Sequence, residues 1–138
     1  MSWVTRIDHV GLAVPDLDEA TNFYARTFGM SVTHTEDNHE QGVREALLEV
    51  KEGETYIQLL APLTSDSPIG RFLKDRGPGI QQMAYSVTDI AAASTHLREC
   101  GVRLLYDEPK RGTANSLINF THPKDTGGVL IELVQHAE

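Results

Sequence analysis

Four polar side chains stand inside otherwise apolar stretches, where a polar group is costly unless it is given partners. They are His9 in DHVGLAV, Gln58 in YIQLL, Gln82 in IQQMAYSV and Glu132 in LIELV. An imidazole, a carboxylate and two amide carbonyls are all metal donors, and one shared divalent cation would satisfy the four together. Taken singly, each has a plainer explanation. A strand histidine is commonly a hydrogen-bonded core residue, and a polar strand residue can simply face water. What sets the four apart is that they fall at matching positions of an internal repeat.

Gln82 and Asp89 follow His9 and Asp16 by 73 residues each, and Glu132 follows Gln58 by 74. Glu45 and Asn119 each lie 13 residues before the closing polar residue of their half. The elements between these anchors repeat too. Residues 7–14 are β-branched and loosely alternating, which predicts a strand. Asp16 is a good N-cap, Leu17, Ala20, Phe23, Tyr24, Thr27 and Phe28 recur at helical spacing, and Gly29 suits the position after a helix. Strands are expected near 31–35, 43–50 and 55–61. The second half repeats the order, with a strand at 80–87, a helix from Asp89 to Cys100 closed by Gly101, and strands near 103–106, 115–121 and 129–134. Residues 62–79, rich in Pro, Gly and Ser, read as a connection with a short helix around 69–75. The expectation is one α+β domain over 1–138: a βαβββ module at about 5–63, a linker at about 64–78 and a second module at about 79–136. Two curved mixed sheets with outer helices would then surround one concave site.

The bulk properties exclude several classes. The formal net charge is −8, against the basic surface a nucleic-acid binder needs. Lys110–Arg111 and the group Arg71, Lys74 and Arg76 are the tight basic patches. No apolar run reaches the roughly 20 residues that span a bilayer. The N-terminal stretch lacks the marks of a secretory signal, and the single Cys100 suits a reducing compartment, so a cytoplasmic protein is expected. His34, His39, His96, His122 and His136 show no metal-ligand rhythm and are expected in loops, on a helix face or at the chain end.

The opening IDHVGLAVPDLDEATNFYARTFGM resembles that of the vicinal oxygen chelate (glyoxalase) superfamily, and the similarity covers nearly the whole chain. With QGVREALLEV, YIQLLAPL and YDEPKRGTANSLINFTHPKDTGGVLIELV added, the pattern is similar to the methylmalonyl-CoA epimerase family within it. The last block is the most specific of these. The resemblance implies a metal-dependent epimerase, a cytoplasmic homodimer acting on a small acyl-CoA. The implied ligands are His9, Gln58, Gln82 and Glu132. The ion would be Co²⁺ first, with Mn²⁺, Ni²⁺ and Zn²⁺ as other candidates. Many members carry His-His where this chain has Gln81-Gln82, and an amide is the weaker, harder ligand.

By the same resemblance Glu45 is the base that removes the substrate's α-proton. Its mate in the repeat, Asn119, cannot act as an acid, which leaves Glu132 or a water for the opposite face. Ser116, Asn119 and Lys124 are candidates for the substrate's carboxylate or thioester, and Lys110 and Arg111 for the coenzyme A phosphates. Three rivals share the scaffold: a ring-cleaving Fe(II) dioxygenase, a glyoxalase I-like lyase and an antibiotic-binding protein. Gln82 counts against the first, which needs a second histidine there.

Overall fold

The structure, a computed structural model, describes residues 3–138. The chain divides into two compact units, one of residues 9–81 and one of residues 3–8 with 82–138.

In the first unit, β1 (Val4–Ala13) contributes its second half and is followed by α1 (Leu17–Phe28), β2 (Ser31–Asn38), β3 (Val43–Lys51), β4 (Thr55–Pro62) and α2 (Pro68–Arg76). The helix boundaries follow from local chemistry. Asp16 stays extended and its carboxylate accepts the Glu19 N–H at 2.9 Å, satisfying one of the unpaired amides of the first turn. Gly29 takes φ 70°, where a side chain would be strained, and closes the helix onto Ala25. For α2 the Ser67 hydroxyl caps Gly70 at 3.1 Å and Pro68 opens the first turn.

The strand order is β2-β3-β4-β1. β1 runs parallel to β4, whereas β3 runs antiparallel to both β4 and β2, so this sheet is mixed. Register assigns the faces. Leu59, Ala61, Ala46 and Leu48 pack with Leu17, Ala20 and Tyr24 of α1. Leu48 and Leu59 are fully buried, each worth about 1.5–3 kcal/mol of apolar transfer. The opposite face carries His9, Gly11 and Ala13 of β1, Gln58 and Leu60 of β4, Val43, Glu45 and Leu47 of β3, and His34 and Glu36 of β2. At one end of that face α2 covers Ala13, Val43 and Leu60 with Ile69, Phe72 and Leu73.

The second unit holds β5 (Gly79–Val87) from Gln82 onward, α3 (Ile90–Glu99), β6 (Lys110–Arg111), β7 (Leu117–Phe120) and β8 (Ile131–Gln135), in the order β5-β8-β7-β6. Asp89 caps α3 through Ala92 N–H as Asp16 caps α1. Val87 and Leu133 pack with Ile90 and Ala93 of α3, whereas Ala84, Val134 and Ile118 form a cluster on the other face.

Two expectations are corrected here. Residues 103–106 do not form a strand: only an isolated bridge joins Leu104 to Thr121, and the ladder next to β7 is the short β6. The Asn119 side chain takes the place of ladder bonds. Its Oδ1 accepts from Tyr106 N–H at 3.1 Å and its Nδ2 donates to Tyr106 C=O at 3.0 Å. Asn119 is therefore not a substrate contact; it is 0% exposed and its amide is given to the backbone. Asn119→Ala is expected to remove the side-chain acceptor of the Tyr106 N–H, while the Tyr106 C=O keeps the Arg98 guanidinium, and to cost about 1–3 kcal/mol, read by urea denaturation.

The second correction concerns the repeat. In the first unit Leu47 lies opposite Gln58 and Glu45 opposite Leu60. In the second, Phe120 lies opposite Glu132 and Ile118 opposite Val134. A one-residue difference in spacing flips every side chain to the other face. Ile118, not Asn119, thus holds the position that corresponds to Glu45.

Candidate functional site

Each unit carries one buried amide–carboxylate pair, and each pair lies on the face away from the unit's long helix. In the first, Gln58 Nε2 donates to Glu45 Oε2 at 3.0 Å, with Gln58 and Glu45 both 3% exposed. In the second, Gln82 Nε2 donates to Glu132 Oε1 at 2.8 Å, both residues being 6% exposed. A carboxylate only accepts, so each amide must turn its nitrogen toward it. The amide oxygen, the atom that ligates hard cations, is then directed away from the carboxylate.

The strands explain how the pairs arise. Gln58 and Leu47 are directly opposite, and Glu45 is two residues along β3 on the same face, a diagonal that long side chains bridge. Gly11 is the β1 partner of Gln58, so no side chain from β1 crowds the amide, and His9 lies two residues before it on the same face. His9 is 5% exposed. In the second unit Ala84 is the β5 neighbour of Glu132 and Gln82 precedes it by two. The two units thus repeat the same arrangement: a small residue beside the closing polar residue, and a polar residue two positions before the small one.

Of the other residues singled out in the sequence, Lys110, Arg111 and Lys124 are exposed. The Lys110 ammonium rests 4.3 Å from the centroid of the Tyr106 ring, which itself meets Phe120 edge-on. Ser116 is buried in the tight turn after β6, where its carbonyl accepts Gly112 N–H. That turn is strained, since Ala114 and Asn115 take φ 53° and 61°. Lys124 lies on a loop held by Arg103, which donates to Asp125 through both its backbone and its guanidinium. The guanidinium hydrogen bonds draw the Asp125 carboxyl down to about 2.

Sequence reasoning missed two features. His34, set aside with the histidines that show no ligand rhythm, lies on β2 within the strand expected near 31–35, where His34 and Glu36 alternate with the exposed Thr33, Thr35 and Asp37 and share the face of Glu45. Both of that strand's faces are polar, so hydropathy did not show which residues share the face of Glu45. The other is a buried cluster at Asp8, which accepts from Ser86 Oγ at 2.6 Å and pairs with Arg6 and His136. Among the described residues no group of three or more His, Cys, Asp or Glu gathers. The four residues singled out as ligands contribute only His9 and Glu132 to such a count. Among the described residues, too, no helix is long and apolar enough to cross a membrane.

Residues 8–120 match the model of the Glyoxalase/Bleomycin resistance protein/Dioxygenase superfamily. The crystal structure of methylmalonyl-CoA epimerase from Mycobacterium tuberculosis superposes with a TM-score of 0.96 at 56% identity, covering 99% of this chain and 91% of that one. A variant of the Streptomyces coelicolor methylmalonyl-CoA epimerase in complex with 2-nitronate-propionyl-CoA also has a TM-score of 0.96, at 47% identity over 98% of this chain and 99% of that one. The mitochondrial methylmalonyl-CoA epimerase of Mus musculus is 42% identical over 131 residues, 94% of this chain and 72% of its own length. In sequence and in fold, this chain belongs to the glyoxalase superfamily and, within it, to the methylmalonyl-CoA epimerase family.

Proposed function

We propose that this chain is an enzyme that interconverts the (2R) and (2S) forms of methylmalonyl-CoA by removing and returning the proton on the α-carbon. The observation that carries the reading is Glu45: a carboxylate only 3% exposed, held by the Gln58 amide and sharing its face with His9. A carboxylate kept from bulk water and held by a donor can be aimed at the α-carbon. Family membership supports the substrate, since the similar structures are epimerases of this thioester.

His9, Gln58, Gln82 and Glu132 would hold a divalent ion. The donor set fits: one imidazole, one carboxylate and two amide carbonyls suit an oxygen-tolerant ion of the Co²⁺ or Mn²⁺ kind. When bound, such an ion supplies Lewis-acid stabilisation of the negative charge that develops on the thioester oxygen. The residues do the remainder. Glu45 takes the α-proton on one side of the substrate. Ile118, its counterpart in the second unit, has no proton to give, so that position supplies no second base. Glu132 and water remain the candidates for the opposite face. Lys110, Arg111, Ser116 and Lys124 would receive the acyl-CoA, the cations meeting its phosphates and carboxylate. The same reading includes a cytoplasmic homodimer, which sedimentation and cell fractionation test.

The direct experiment is to incubate the protein and added Co²⁺ with methylmalonyl-CoA in D₂O, following the α-proton by NMR and the stereochemistry by chiral coupling to a mutase. The expected result is loss of the α-proton signal at a rate comparable to epimerisation. No exchange by the metal-loaded protein would reject the activity.

A further inference from the structure

A base that removes a proton must also lose it before the next turnover, and Glu45 at 3% exposure has little direct access to water. The edge strand of its own unit lies beside it. In the β2–β3 ladder Glu36 is directly opposite Glu45, on the same face. Side chains opposite one another in an antiparallel pair have their Cβ atoms about 4.5–5.5 Å apart, within reach of two glutamates. Two residues earlier, His34 Nε2 lies 2.7 Å from Glu36 Oε1. The side-chain exposures, 15% for Glu36 and 37% for His34, rise outward from the buried Glu45.

We infer that Glu36 and His34 form the route by which the proton taken up by Glu45 reaches solvent and is replaced. The inference rests on Glu45 being the base. The steps balance: Glu45 passes its proton to the Glu36 carboxylate, Glu36 passes one to His34 Nε2, and the imidazole releases one from its other nitrogen to water. No electrons move, and the chain ends with Glu45 ionised again. Neither Glu36 nor His34 needs to touch the substrate, so both are positioning residues that act through Glu45.

The test measures proton exchange against epimerisation in the metal-loaded enzyme. With methylmalonyl-CoA in D₂O, wild type should incorporate deuterium into the recovered starting isomer as well as the product. In Glu36→Gln the deuterium in recovered starting isomer, per epimerisation event, should fall about tenfold. Its kcat should fall too, with KM unchanged, and added imidazole buffer should restore kcat in a concentration-dependent way. His34→Gln, at the more exposed position, should show the same imidazole rescue with a smaller loss; it also serves if Glu36→Gln fails to fold. Rescue by a small buffer is not expected of a side chain that merely braces the strand. Wild-type exchange ratios and no rescue in the folded variants would overturn the relay. If Glu45→Gln itself exchanges at the wild-type rate, it is the assignment of the base that fails.

Discussion

Glu45→Gln is expected to lower α-proton exchange on methylmalonyl-CoA by roughly 10²- to 10⁴-fold, the usual contribution of a positioned base, with substrate and metal still bound. The substitution keeps the shape of the side chain. Its amide can present its oxygen to Gln58 Nε2, so that contact survives as a neutral hydrogen bond. What is lost is the capacity to accept a proton. The position is buried, so a polar isostere that retains its partner should leave the unfolding midpoint nearly unchanged. Exchange measured by NMR, with binding measured separately by calorimetry, distinguishes lost chemistry from lost binding. Exchange at the wild-type rate would reject Glu45 as the base. The register sharpens the expectation. With Ile118 at the matching position of the second unit, no second carboxylate stands there to compensate.

The order of elements was legible because caps and glycines mark it. Asp16, Gly29, Asp89 and Gly101 are local signals, and they bound α1 and α3 in the structure as they do in the sequence. The four polar positions were legible because each interrupts an apolar strand, a contrast that survives without knowing what pairs with what. Pairing itself was not. Equal spacing set Glu45 against Asn119, yet one residue more between β7 and β8 turns Asn119 to the face of α3 and brings Ile118 round in its place. A slip of one is invisible in a count of residues and decisive in a sheet. The segment 103–106 failed for a related reason. Its apolar residues look like a strand, but the partner for Tyr106 is a side chain, Asn119, rather than a neighbouring backbone. His34 and Glu36 were overlooked because β2 is polar on both sides; only the ladder with β3 shows that Glu36 meets Glu45.

The second large effect is expected in stability, and it reads the ligand set without reference to turnover. Saturating Co²⁺ or Mn²⁺, at about a hundred times the dissociation constant, should stabilise the wild-type fold by about 2.7 kcal/mol and raise its midpoint by roughly 10 °C. His9→Ala and Glu132→Gln should each abolish that shift. The variants differ once the metal is withheld. His9→Ala empties a buried position and should lower the midpoint. Glu132→Gln replaces a buried carboxylate by an amide that can still accept from Gln82. It removes a charge that is expensive to hold away from water, so the metal-free variant should be as stable as wild type or more so. A variant that is no weaker alone yet deaf to metal has lost a ligand rather than a brace. Metal analysis should find one ion per chain in wild type and little in either variant. A full thermal shift in Glu132→Gln would remove the only carboxylate from the proposed set, and a full shift in His9→Ala would remove the only imidazole.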